Sequence, residues 1–151
     1  IKDITILDDT YNSSPVAARQ ALKTLSGVEG KGRKVAILGD MMELGKHSVE
    51  EHGKIGSLVR ELVDVVIAVG IRSRKVAEVA QQAGMDNKKI FKFDNSVDAS
   101  KNIINLLKKD DVVLVKGSQS ARMERIVKEI IFDKEKSSEL LVRQDDEWKN
   151  R

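Results

Sequence analysis

The chain has 151 residues, 40% apolar and 34% charged, enough for one domain with a core of its own. It has no Cys and two His, which argues against a disulfide framework, a thiolate or dedicated zinc site and a Cys nucleophile, and agrees with a cytoplasmic location. No apolar run approaches the roughly 20 residues of a membrane span, and no leader pattern is present, so membrane insertion is not expected. The 27 basic and 24 acidic side chains leave a net charge of +3, and aromatics make up 3%. That gives neither the basic stripe nor the stacking surface of nucleic-acid binding.

Taken in chain order, the apolar run Ile4–Leu7 reads as a strand. Ser14 before Pro15 reads as an N-cap and the first residue of a helix, along which Ala18, Ala21, Leu22 and Leu25 recur at helical spacing. A second run, Val35–Leu38, precedes Ser48 and Glu51, a capping-box pair for a helix carrying Ile55, Leu58, Val59 and Leu62. The third run is Val65–Val69, followed by Val76, Val79, Ala80 and Ala83 on one helical face. The fourth, Ile90–Phe93, alternates around Lys92 and is expected at a sheet edge, with a looser helical pattern from Ser96 to Leu107. The fifth is Val112–Val115, and Met123, Ile126, Val127 and Ile130 mark a last helix. Most runs are continuous and rich in Val and Ile, as in strands buried on both faces. The alternation predicts one open α/β sheet, mainly parallel, with helices on both faces. The domain is expected to span residues 1–132. Residues 133–151 form a charged tail anchored by Leu140, Leu141, Val142 and Trp148, expected to make a short helix from about Ser138.

In such a sheet ligands bind beyond the carboxyl ends of the strands. The residues that follow the five runs are acids, amides, hydroxyls, glycines and one Lys: Asp8 to Pro15, Gly39 to His47, Gly70 to Ser73, Asp94 to Ser96, and Lys116 to Ser120. Each type is also common in ordinary turns. The adjacent carboxylates of Asp8 and Asp9 require a cation, donors or water beside them. Lys116, directly after four apolar residues, either snorkels or is aimed at an anion. The triphosphate cradle is missing: Gly39 to Gly45-Lys46 has five intervening residues instead of four, and His47 stands where a Mg²⁺-holding hydroxyl is needed. His47 and His52 are five apart, not the four that would align two ligands on a helix, so no metal site is expected.

Asp9-Thr10-Tyr11-Asn12-Ser13-Ser14-Pro15 resembles the D-x-Y-N-A-N-P signature that opens the C-terminal domain of one branch of the Mur ligase family. Leu38 to Gly45 is similar to its L-G-D-M-x-E-L-G segment, His52 with Gly56 to its H-x-x-x-G pattern, and Val115-Lys116-Gly117-Ser118, followed by Met123 and Glu124, to its late K-G-S-R segment. Ser14 replaces the usual second Asn, and Gln119 replaces the usual Arg.

The resemblance implies a Rossmann-like sheet of five to six strands. It also implies the third domain of a ligase that uses ATP and Mg²⁺, both held mainly by a central domain. The activity implied is amide-bond formation: D-alanyl-D-alanine is joined to UDP-N-acetylmuramoyl-tripeptide through an acyl phosphate. It assigns Asp9, Tyr11 and Asn12 to the nucleotide and Lys116 and Ser118 to the incoming dipeptide. Asp40 and His52 are expected to support the rim, with no catalytic residue in this domain alone. The partners implied are the N-terminal and central domains of the same enzyme and its substrates. Three alternatives stand beside this: a Mur ligase adding a different amino acid, a receiver-like signalling domain, and an interaction module using the tail.

Overall fold

The computed structural model describes residues 3–11 and 13–146, with side-chain surroundings as far as Glu135. Asn12 and Trp148, and the side chains of Leu140, Leu141 and Val142, lie outside the described residues. The elements are β1 (Thr5–Asp9), α1 (Pro15–Gly27), β2 (Lys34–Gly39), α2 (Ser48–Leu62), β3 (Val65–Val69), α3 (Arg74–Gln82), β4 (Ile90–Phe93), α4 (Ser96–Leu106), β5 (Val112–Lys116) and α5 (Glu124–Asp146). Single 3₁₀ turns precede α2, β4 and α5.

The five strands form one parallel sheet in the order β1-β5-β2-β3-β4. β4 is at an edge, as its alternation around Lys92 predicts, and β1 is the other edge. The chain steps one way from β1 to β4, then returns from β4 to β5. Right-handed crossovers therefore put α1, α2 and α3 on one face and α4 on the other. The pleat divides the core accordingly. Ala36, Leu38, Val112 and Leu114 pack with Leu22 and Leu25 of α1, Ile55 and Val59 of α2, and Val76 and Ala80 of α3. Val35, Ile37, Val113 and Val115 pack with Ala99 and Ile103 of α4 and Ile126, Val127 and Ile130 of α5.

Counted from β2, the order β4-β3-β2-β5 is the first part of a Rossmann sheet, with β1 beyond it. A receiver domain has the order 2-1-3-4-5, with its first strand inside the sheet. Here β1 is an edge strand, which removes that alternative.

Two local expectations change. Ser14 caps α1 as expected, its Oγ accepting the Ala17 N–H at 3.1 Å. Ser48 does not cap α2. The 3₁₀ turn Gly45–His47 runs straight into the helix, His47 occupies the cap position with no side-chain cap bond, and Ser48 is already helical at φ −55°. Glu51 instead pairs with Arg19 at 3.6 Å and Lys54 at 3.2 Å. At the other end, α5 continues unbroken to Asp146 rather than stopping before a separate tail helix. The Lys134 ammonium donates to the Ile4 carbonyl at 2.8 Å, tying α5 to the start of β1.

At the amino edge of the sheet, Asp111 is fully buried. Its carboxylate accepts from Arg33 Nε at 3.0 Å, from a terminal Arg33 nitrogen at 2.8 Å and from the Lys108 N–H at 2.8 Å.

The α2–α3 contact predicts a measurable result. A Cβ on Gly56 would lie 2.5 Å from the Val76 carbonyl oxygen and 2.8 Å from Val79 Cβ. Helix propensity alone favours Ala over Gly by about 1 kcal/mol. Forcing the helices apart costs about 1–3 kcal/mol. Gly56→Ala is therefore expected to lower stability in urea unfolding, and a gain would show that the helices separate freely.

Candidate functional site

Neighbouring strands whose exit loops turn to opposite faces leave a crevice at their carboxyl ends. The loops after β1 and β2 lead to helices on one face, while the loop after β5, which lies between them, leads to α5 on the other. The same divergence occurs between β3, leading to α3, and β4, leading to α4. Both crevices open on the rim where the polar loops collect.

The register β1–β5 places Asp9 opposite Lys116. Lys116 is 2% exposed, and its ammonium donates to Asp9 Oδ2 at 2.6 Å. The anion at which Lys116 is aimed thus includes the carboxylate of Asp9. Asp9 itself is about half exposed. Asp8 lies beside it on the rim, its Oδ1 accepting from the Thr10 hydroxyl at 3.0 Å. The two residues expected on separate substrates are one ion pair.

The β2–α2 loop is held from several sides. His52 is 1% exposed. Its Nε2 accepts the Met41 N–H at 3.0 Å, and its Nδ1 lies 2.7 Å from the Ser48 carbonyl. A carbonyl only accepts, so the ring carries its proton on Nδ1. Ser118 N–H donates to the Asp40 carbonyl at 3.2 Å, and Ser118 Oγ accepts the Met42 N–H at 3.0 Å. One carboxylate oxygen of Asp40 accepts the Ser73 N–H at 2.7 Å, and the other lies 3.6 Å from the Arg72 guanidinium. Asp40 and His52 therefore brace three loops against one another.

Close backbone approach makes this possible. A Cβ on Gly117 would lie 2.6 Å from Met123 Cγ and 3.2 Å from the Gly39 Cα, and one on Gly39 would lie 2.8 Å from Met123 Sδ. The two glycines let the fully buried Met123 seat the start of α5 against the ends of β2 and β5.

Two cavities result. One, of about 680 Å³, lies over the β2–β5 crevice and is lined by Tyr11, Ser13, Met42, Glu43, Ser118 and Gln119, among others. The second, of about 360 Å³, lies at the exits of β3 and β4, between Asp40, Arg72, Asp94, Asn95, Ser96 and Arg125. Met42, Ser120 and Arg122 line both. A further hollow of about 660 Å³ follows the open edge between β1 and α1 and reaches the rim only at Asp8 and Asp9.

Arg122 and Glu43 hold left-handed backbones at φ +55° and +62°, conformations that cost non-glycine residues about 1–2 kcal/mol. Arg122 Nε donates to Glu124 at 2.6 Å. That guanidinium, together with the Glu124 N–H, holds the partly exposed Glu124 carboxyl below its usual range. Arg122 and Arg125 are functional candidates that periodicity hides. Set three apart around the predicted start of the last helix, they read as its solvated face, although Arg122 precedes α5.

A family model described as Mur ligase, glutamate ligase domain, matches residues 1–119. The UDP-N-acetylmuramoyl-tripeptide–D-alanyl-D-alanine ligase of Buchnera aphidicola subsp. Baizongia pistaciae is 33% identical over 136 residues, covering 88% of this chain and 28% of the relative. The ligase of the same name from Bacillus subtilis is 29% identical over 129 residues, covering 85% and 28%. Among solved structures, MurF ligase from Thermotoga maritima in complex with ADP aligns with a TM-score of 0.67 at 31% identity, over 85% of this chain and 28% of the other. MurF from Acinetobacter baumannii aligns with a TM-score of 0.72 at 30% identity, over 84% and 28%. The chain spans 28% of the length of these relatives.

Proposed function

The chain belongs to the Mur ligase family, and from that premise we propose that it forms the third domain of a cytoplasmic, ATP-dependent ligase that joins D-alanyl-D-alanine to UDP-N-acetylmuramoyl-tripeptide. The domain proper comprises residues 1–132, with α5 continuing into the charged segment beyond. The observation that carries the reading is the convergence of four separated segments, around Asp9, Asp40, His52 and Lys116, on one rim joined by hydrogen bonds. Relatives at about 30% identity that bear this ligase's name support it.

The rim does not fit a Mg²⁺–triphosphate cage. The carboxylate of Asp9 is engaged by Lys116, and that of Asp40 by Ser73 and Arg72. Among the described residues no group of three His, Cys, Asp or Glu side chains gathers. The phosphate cradle and Mg²⁺ belong to the central domain of the enzyme, where ATP activates the tripeptide carboxylate as an acyl phosphate.

The residues of this chain close the site from the other side. Asp9, fixed by Lys116, accepts hydrogen bonds from the nucleotide's sugar hydroxyls, and Tyr11 and Asn12 serve the same nucleotide. Ser118 keeps its hydroxyl hydrogen to donate, since its oxygen accepts the Met42 N–H. Domain closure excludes water that would hydrolyse the acyl phosphate.

The test is phosphate release by the complete ligase. Release that requires ATP, UDP-N-acetylmuramoyl-tripeptide and D-alanyl-D-alanine together is the expected result, with no turnover by this chain alone. Turnover with a single amino acid in place of the dipeptide assigns the chain to another branch of the family. Turnover by the isolated domain overturns its reading as one lobe of a closing site.

A further inference from the structure

We propose that Arg125, flanked by Arg72 and Arg122, seats the free carboxylate of the dipeptide substrate in the cavity at the exits of β3 and β4. The proposal rests on the ligase reading above and names the part of the site that recognises one substrate.

The charges that line this cavity are Arg72, Arg122 and Arg125 against Asp40 and Asp94. Most are already paired. Arg72 lies 3.6 Å from Asp40, Arg122 holds Glu124 at 2.6 Å, and Asp94 is engaged by Arg74. Arg125 differs. It is half-buried, and among the described residues its one side-chain hydrogen bond is a long 3.4 Å contact to the Ser96 hydroxyl and no carboxylate pairs with it. A guanidinium carries five N–H donors in a flat fork. Its remaining donors are not buried, so they stay open to an acceptor that enters the cavity. The acceptor of matching shape is a planar carboxylate, bound by two parallel N–H···O bonds.

Position and size agree. The cavity lies where the exits of β3 and β4 diverge, the second ligand position of the sheet. Its volume of about 360 Å³ is at the small end of small-molecule sites. It shares Met42, Ser120 and Arg122 with the larger cavity over the β2–β5 crevice. A dipeptide extends about 7 Å, so a carboxylate on Arg125 directs the amine toward that shared wall. Lys116 does not compete for this role, because it lies under the rim on Asp9.

The mixture of signs selects the ligand. A phosphate dianion would bring two negative charges beside the carboxylates of Asp40 and Asp94 that share the cavity, where a carboxylate brings one. A zwitterion with one carboxylate and one ammonium is complementary to both sets.

The experiment compares D-alanyl-D-alanine with D-alanyl-D-alaninamide as acceptors for the complete ligase and its Arg125→Gln and Arg72→Gln variants, with the KM for ATP measured in parallel. The parent enzyme is expected to prefer the free acid. Arg125→Gln is expected to raise the dipeptide KM about tenfold or more, the scale of a charge-assisted hydrogen bond, to abolish the acid-over-amide preference and to leave the KM for ATP within about twofold. Should Arg125→Gln fail to fold, Arg72→Gln, at an exposed position, is expected to reduce the same preference. A preference unchanged in both variants overturns the proposal. A rise in the KM for ATP with no change for the dipeptide also overturns it and places a nucleotide phosphate there. If the parent shows no ligation at all, the ligase reading fails. Ligation with an intact preference in the variants refutes the carboxylate seat alone.

Discussion

Asp111→Ala is expected to destabilise the domain by about 3 kcal/mol and to lower its melting temperature by about 10 °C. The Asp111 carboxylate receives two bonds from Arg33 and one from the Lys108 N–H, and the same guanidinium also donates to the Leu106 carbonyl. The Asp111 carbonyl accepts the Thr5 N–H at 3.0 Å, and the Arg33 carbonyl accepts the Val112 N–H at 2.8 Å. The pair therefore joins the end of α4 to the starts of β1, β2 and β5 at the amino edge.

Removing the carboxylate leaves a guanidinium that is about one-quarter exposed without the two bonds it made to Asp111, and the backbone N–H of Lys108 unpaired. That loss is larger than the net worth of the pair, because a broken ion pair keeps the desolvation cost of the remaining charge. The argument makes a second demand. Arg33→Met combined with Asp111→Leu should cost less than Asp111→Ala alone, read as midpoints of urea unfolding. Additive losses in the two single variants and the double variant would show that the residues stabilise independently.

The parts of the fold legible in sequence are those governed by local pattern. Val65–Val69 and Val112–Val115 read as strands because buried parallel strands are apolar on both faces. Ser14 and Pro15 mark the start of α1 because a cap and a fixed φ act within three residues. Strand order is not local. Nothing in Thr5–Asp9 shows that it pairs with a strand over a hundred residues later, and so nothing shows that Lys116 meets Asp9. Sequence indicates that the acidic strand end needs a cation, donors or water, and that Lys116 either snorkels or is aimed at an anion. Only the register joins the two requirements.

The Ser48 cap misleads for a related reason. A 3₁₀ turn upstream carries the helical backbone past the cap position, and side-chain spacing does not reveal it. The charged segment after Asp133 reads as a break before a separate short helix from about Ser138, whereas α5 runs through it to Asp146. Arg122 and Arg125 show the same limit at the site. On a helix surface they look solvated, and only the loops after β3 and β4 turn them into cavity walls.

Lys116→Met in the complete ligase is expected to lower kcat/KM for ATP about 10- to 100-fold, the scale of one hydrogen bond between charged groups, with a smaller effect on the dipeptide. Lys116 is 2% exposed, so its effect on a ligand is expected to pass through Asp9. Its ammonium, 2.6 Å from Asp9 Oδ2, fixes where that carboxylate points. Met matches the length of the Lys stem, and the Asp9 carboxylate left behind is about half exposed and so solvated, so the fold is expected to survive. The effect should therefore appear in whichever substrate Asp9 holds. Asp9→Asn gives the companion measurement: if Lys116 acts through Asp9, the double variant is expected to be about as impaired as Asp9→Asn alone. Independent, additive losses would mean that Lys116 touches a substrate directly. A loss confined to the dipeptide would mean that the β1–β5 pair serves the acceptor rather than the nucleotide.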